Sequence, residues 1–384
     1  KMSELKEKSL CGISTPSIVL PSYYGHLLYT PIDLEKDVIH GKVFAQLYVG
    51  DLLQKDFKEK SIFELSTVNK DLVQIFSYWG TEGPPVNCEA QTLNISTSAG
   101  RKKVTNQDYL SRIMIEKPPI IVSLADEIFG SVGNNRTKKA VNRSWSWFKE
   151  LREKDLGYSP LIFGVLVADF NHNQQVKNMI ESLITAGANG IIIGGAHPHM
   201  SFEQRRSIIQ EIRNQNSEIF IVVQGADSFQ QILEDLELGI DLIYSNYPLL
   251  LTKRGCAINV IESVKVESQQ EQEEIEDLVG KRKREDDEQA SSSKPSKRAK
   301  RSRNDQDSKD KDKNNEDDEK EDRTIDYQAK AVPFDSYSIN LWDEKFMKDK
   351  SPLLEGCDCH ACRHHTKAYL HHLLKSNELT ADVL

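Results

Sequence analysis

The feature that most constrains how this chain folds is a series of short, nearly unbroken apolar runs separated by segments of helical periodicity. Such runs occupy residues 119–124, 161–167, 190–195, 219–223 and 241–244. Near-continuous apolar runs suit strands buried on both faces, as in a parallel sheet. Between them, Val176, Met179, Ile180, Leu183 and Ile184 share one helical face, as do Phe229, Ile232, Leu233 and Leu236. Repeated strand–helix units imply a parallel α/β fold, either a doubly wound open sheet or a closed (β/α)8 barrel. No Gly-x-Gly-x-x-Gly follows a strand, which removes the simplest case for a dinucleotide fold. Small and polar groups instead collect just after the runs: Asp126, Asp169, Gly194-Gly195, Gln224-Gly225 and Ser245-Asn246. In a TIM-type barrel those positions form the C-terminal face, where ligands bind. The barrel is the expected fold.

At 384 residues and 38% hydrophobic, the chain has enough apolar material for a sizeable core if that material is concentrated. It is: residues 263–326 contain almost no aromatic or branched apolar groups. There, acidic stretches flank Lys281-Arg282-Lys283-Arg284 and Lys297-Arg298-Ala299-Lys300-Arg301. Such a segment buries too little surface to offset its ordering entropy and is expected to be a disordered charged insert. Its basic runs read either as a nuclear-import or RNA-contact element or as a solvated loop. The expected division is 1–262 for most of the barrel, 263–326 for the insert and 327–384 for a metal-binding subdomain. Tyr337, Ile339, Leu341, Trp342 and Phe346 would anchor the last. The net charge of −9 argues against a uniformly basic nucleic-acid coat but leaves room for a local patch.

No secretory leader pattern and no apolar run of roughly 18 residues is present, so a soluble, cytosolic protein is expected. On that reading the sequons at Asn94, Asn135 and Asn142 are chance matches. Three of the six cysteines cluster in Gly356-Cys357-Asp358-Cys359-His360-Ala361-Cys362. In a reducing compartment such a cluster favours metal over disulfides, and three thiolates from one loop suit a structural zinc ion needing one more ligand. His360, His364, His365, His371 and His372 are all near in sequence. His360 sits awkwardly between two ligands. Neighbouring helical residues diverge by about 100°, so at most one of His371 and His372 would face the ion. Spacing does not choose among them.

The cysteine motif followed by Thr366 to Leu374 and Asn377-Glu378-Leu379 resembles the zinc subdomain of the tRNA-guanine transglycosylases. Ile121 to Glu127, Phe163-Gly164-Val165, Gly190 to Gly195 and Gly239-Ile240-Asp241-Leu242 match the same family in order. The resemblance covers most of the chain apart from the insert. It implies a (β/α)8 barrel with one structural zinc, in proteins that exchange the wobble guanine of certain tRNAs for queuine or a precursor. It also implies that the fourth zinc ligand is a histidine falling a few residues past Leu384. The chain is thus expected to stop before that ligand and before the end of the barrel. The pair His371-His372 matches residues that do not bind metal in the family.

The resemblance breaks at the residues that do the chemistry. The family's nucleophile is an aspartate that attacks the ribose carbon, and its position here holds Tyr244. With a reference pKa near 10, a tyrosine is mostly protonated at neutral pH. Val167-Ala168-Asp169 stands where a glutamine and paired glycines are expected, and the segment carrying a second catalytic aspartate has no clear counterpart near Phe76-Ser77-Tyr78-Trp79-Gly80. Asp126, matching a base-recognising aspartate, survives. The pattern is similar to a non-catalytic branch of the family, whose members pair with the catalytic queuine tRNA-ribosyltransferase subunit in a heterodimer. Residues 239–248, 252–257 and 353–357 resemble that branch most. The resemblance further implies contact with tRNA, a weak homodimer when the partner is absent, and a cytoplasmic location with peripheral association at the mitochondrial outer membrane. Lys345, Lys348, Arg363 and Lys367 are the candidate phosphate contacts. Two other readings are an active transglycosylase using Asp126, Asp169 or Asp241 as nucleophile, and a zinc-stabilised nuclear RNA-binding or scaffold protein.

Overall fold

The computed structural model describes residues 7–258 and 337–384, apart from 32–34, 36–38, 40, 54–58, 81–87, 90, 98, 129–131, 171, 195–196 and 227. The expected insert at 263–326 lies outside the described residues. Eight parallel strands close into a barrel: β1 (Ser17–Leu20), β2 (Val43–Tyr48), β3 (Leu72–Ser77), β4 (Ile120–Val122), β5 (Leu161–Val165), β6 (Gly190–Ile193), β7 (Phe220–Gln224) and β8 (Leu242–Tyr244). Pairing of β8 with β1, Leu242 opposite Ser17 and Tyr244 opposite Val19, completes the ring. The five apolar runs become β4 to β8. Every residue of β4 and β6 is buried, as strands covered by helices outside and by layered side chains inside should be.

Strands β2 and β3 carry no comparable run because polar residues take buried positions. Gln46 of β2 and Gln74 of β3 are both buried. The Gln46 amide donates to Ser77 Oγ at 3.0 Å and to the Trp79 carbonyl, and that of Gln74 donates to the Gly25 carbonyl at 3.2 Å. Each pairing offsets part of the cost of burying an amide.

Between the strands run α1 (Asn106–Glu116), α2 (Asn134–Glu153), α3 (Asn173–Thr185), α4 (Phe202–Gln215) and α5 (Phe229–Glu237). Val176, Met179, Ile180 and Leu183 of α3 are buried, as the periodicity predicts, with Ile184 at their margin. The expected face of α5 is wrong at Leu233, which is 42% exposed. Asp235 turns inward instead, and an ionic cluster there sets the helix rotation. The fully buried Asp235 accepts from Arg205 Nη1 at 2.5 Å and meets His197 Nε2 at 3.0 Å, while Arg205 also pairs with Glu234.

After β8, α6 (Tyr247–Lys253) leads into β9 (Cys256–Ile258), which pairs antiparallel with β10 (Ser338–Asn340). A strand on the barrel side of the expected boundary therefore forms a sheet with the first described strand of the C-terminal subdomain. Leu341, Phe346, Leu353, Ala361, Leu370 and Leu374 form that subdomain's own small core, with Ala257 and Trp342 packed against it. All eight barrel strands precede the cysteine loop in the chain.

Removing one member of a buried ionic cluster leaves the others uncompensated, at a cost of about 3–5 kcal/mol. Arg205→Ala is expected to lower the stability of the full chain by about that amount in urea denaturation, whereas Leu233→Ala should change it little.

Candidate functional site

The ends of β3 to β8 bring one set of side chains to the C-terminal mouth of the barrel. Tyr244, the last residue of β8, is 7% exposed, and its hydroxyl has no hydrogen-bond partner among the described residues. Burial pushes its phenol pKa well up. Gln224 lies opposite Tyr244 in the β7–β8 register and is fully buried, and neither atom of its amide finds a partner among the described residues. Across the mouth, Tyr78 donates to Glu127 Oε1 at 2.7 Å. Burial first, and the Glu127 charge second, drive the Tyr78 pKa upward. The other Glu127 oxygen lies so close over Gly194 that a Cβ there would stand 2.0 Å from it and 3.2 Å from Trp79. Glycine at the end of β6 is what lets Glu127 and Trp79 lie across that strand.

Asp126 is held differently. It is 2% exposed, and its carboxylate accepts from both terminal nitrogens of Arg136, at 2.7 and 2.5 Å, and from Arg143 at 2.5 Å. Its backbone N–H donates to Ser144 Oγ at 2.8 Å. Burial and then the Asp126 charge raise the neighbouring Cys88 thiol to about 11. A bidentate guanidinium with a second one beside it takes most of the acceptor capacity of a carboxylate. Sequence reasoning missed both arginines. Their spacing of seven, two turns on one face of α2, was the available signal.

The three carboxylates considered as alternative nucleophiles are not brought together. Asp126 is clamped. Asp169 stays at the mouth, with a side chain 18% exposed and 2.8 Å from His172 Nδ1. Asp241 precedes β8 and lies at the opposite, N-terminal end, which corrects its candidacy. There it accepts from Arg213 at 2.8 Å and from the Ile221 N–H at 2.7 Å, with Lys8 at 3.4 Å. That end of a barrel carries stability rather than chemistry.

In the C-terminal subdomain the sulfurs of Cys357, Cys359 and Cys362 lie within 4.8 Å of one another. Gly356, at φ +79°, turns the chain into the loop. Cys359 caps the helix α7 (His360–His364), its Sγ accepting from the Cys362 N–H at 3.5 Å. Tetrahedral zinc at about 2.3 Å from each sulfur sets sulfurs roughly 3.8 Å apart, so this convergence suits one metal ion. No histidine, aspartate or glutamate joins the group among the described residues. His371, on α8 (Lys367–Lys375), is buried with Nδ1 2.9 Å from the Leu341 carbonyl. His365 stacks on Tyr369.

Of the candidate phosphate contacts, Lys348 is exposed and makes no ion pair among the described residues. Lys345 pairs with Asp343 at 3.3 Å, and Arg363 with Asp358 at 3.2 Å. Lys367 does not reach solvent as expected. It is 7% exposed, 3.9 Å from Asp349 and over the Phe346 ring, where it braces the subdomain core.

A closed parallel barrel whose buried groups gather at the strand ends, joined to a small subdomain whose three converging thiols could hold a metal ion, defines the class of protein. The model of the queuine tRNA-ribosyltransferase family matches residues 68–384, and the chain belongs to that family. It is 25% identical over 324 residues to a Gallus gallus protein named queuine tRNA-ribosyltransferase accessory subunit 2, covering 80% of this chain and 68% of the relative. It is 22% identical over 309 residues to the Homo sapiens protein of the same name, covering 77% and 65%. A Drosophila pseudoobscura pseudoobscura protein, again of that name, is 48% identical over 46 residues, 12% of this chain and 11% of the relative. The chain thus spans about two thirds of the first two.

Asp51, just past β2 and 7% exposed, has a carboxyl raised to about 7 by burial, against which the Tyr24 N–H at 3.4 Å acts weakly. The folded state then holds a proton that the unfolded chain releases near pH 4, so folding stability falls as pH rises from about 4 to about 7 and levels off above. The full effect is on the order of 4 kcal/mol. Asp51→Asn is expected to flatten that part of the urea-midpoint profile and raise stability at pH 8.

Proposed function

We propose that this chain is a non-catalytic subunit that pairs with a catalytic queuine tRNA-ribosyltransferase and supports its exchange of wobble guanine for queuine in tRNA. The observation that carries this reading is Tyr244. Displacing a base from a ribose carbon through a covalent intermediate needs a nucleophile that is charged at working pH and can leave again. A buried phenol with a raised pKa stays protonated and fails on both counts. The clamp on Asp126 supports the same reading, because its carboxylate already receives the paired donors that a base edge would offer. The accessory-subunit names of the relatives support a partnered role.

The test measures guanine exchange into substrate tRNA with this chain alone, the catalytic subunit alone and the two together. Exchange is expected from the pair and none from this chain; turnover by this chain alone overturns the assignment. Asp169 stands at the mouth outside the arginine clamp, so a covalent tRNA adduct lost in Asp169→Asn would identify an active enzyme instead.

On this reading the cysteine loop holds one structural zinc, which would cross-link the loop to the rest of the subdomain. Cys357, Cys359 and Cys362 supply thiolates, and the ion contributes folding energy. Metal analysis of the purified chain is expected to give about one zinc per chain. Cys359→Ser should reduce that content, and chelation should lower the thermal midpoint of the wild type more than that of the variant.

A further inference from the structure

A second feature of the barrel's outer layer is unused by the site at the mouth. A groove of about 370 Å³ runs between α2 and α3, lined by Thr137, Lys138, Asn142, Trp145, Asn178 and Met179 among others. Both helices follow strands, so their N-terminal halves, which line the groove, stand on the mouth side of the barrel. The reach of Arg136 and Arg143 to Asp126 fixes α2 there.

The lining is mixed in a particular way. Trp145 is half-buried and stacks on Phe148 at 5.9 Å, presenting a flat apolar surface held from behind. Met179 and Val141 complete the apolar floor. Above it the side-chain amides of Asn142 and Gln175 are exposed and make no hydrogen bond among the described residues. Thr137 is 97% buried, lines the groove, and its hydroxyl finds no partner among the described residues. Residues 134–149 contain five lysines and arginines and no acid. Arg136 and Arg143 are engaged with Asp126, while Lys138 and Lys139 are exposed without an ion pair among the described residues. No acidic side chain stands in the first turn of this 20-residue helix, so its positive end adds to the field.

We infer that this groove takes one unpaired nucleotide of RNA, with its base against Trp145 and its phosphate beside Lys138. The inference rests on the RNA-linked reading above. A rigid indole, apolar neighbours, unspent amides and a lysine at the rim are the parts used to seat an extruded base. The volume suits one nucleoside and lies at the small end of ligand sites, too short for a docked helix. The amides match base edges, which present donors and acceptors side by side.

The test uses the full chain, alone and with the catalytic subunit. Fluorescence anisotropy follows a short single-stranded RNA of mixed sequence and a substrate tRNA. Trp145→Ala is expected to weaken binding of the short RNA about tenfold or more, while Trp145→Phe keeps most of it, since any aromatic face supports stacking. Lys138→Ala should lower the salt-dependence slope by about 0.7. RNA carrying 4-thiouridine should cross-link to peptides of α2 or α3, a readout that survives if Trp145→Ala folds poorly. Unchanged affinity in Asn142→Ala, Lys138→Ala and Trp145→Ala, with cross-links elsewhere, overturns the inference. So does a loss of pairing with the catalytic subunit while RNA binding is unchanged, which would mark a protein-docking face. Exchange by the pair alongside normal RNA binding in the groove variants would sink the groove and spare the subunit assignment. Groove-dependent binding without support of exchange would do the reverse.

Discussion

Everything in this molecule depends on the pairing of β8 with β1, which turns eight parallel strands into a closed ring. An open parallel sheet exposes two edges of unpaired backbone groups, and closure removes both. It also brings residues separated by more than 200 positions, such as Leu242 and Ser17, into register. All eight strands run the same way, so their C-terminal ends meet at one mouth. Tyr78, Asp126, Glu127, Gly194, Gln224 and Tyr244 share a site for that reason alone. The same closure sends Asp241 to the other end, although it is three residues from Tyr244.

The mouth sets a buried phenol beside carboxylates that are held by internal partners. A reactive carboxylate must be desolvated enough to attack and open enough to meet substrate. Here the strand-end position carries a buried phenol, and the nearby carboxylates are committed to internal partners. Tyr78 donates to Glu127, while Arg136 and Arg143 hold Asp126. These contacts satisfy charges that would otherwise be costly in a low-dielectric interior.

The C-terminal subdomain is coupled to the barrel through backbone as well as side chains. Two three-residue strands, β9 and β10, join positions on either side of a long stretch of sequence, and Trp342 packs in both hydrophobic clusters. A core of six buried residues is small. Three converging thiols beside it are the arrangement in which a metal ion most effectively supplements limited apolar burial.

The apolar runs at 119–124, 161–167, 190–195, 219–223 and 241–244 made β4 to β8 legible, because strands buried on both faces leave an unbroken signal. The cysteine cluster was equally plain, since its ligands are local and their spacing is the geometry. Tyr244 also stood out, because the residue type at a given position is written in the sequence itself. What sequence left hidden depended on contacts between distant segments. Strands β2 and β3 were masked by buried glutamines whose partners lie on other segments. Leu233 was misassigned because Asp235 turns inward to an arginine on the preceding helix. Lys367 read as surface charge because the Phe346 ring and Asp349 that bury it are separated from it by an irregular loop. The arginines on Asp126 and the groove beside Trp145 exist only once α2 is docked. Local chemistry is written in neighbouring residues; its availability is decided by what the fold packs against it.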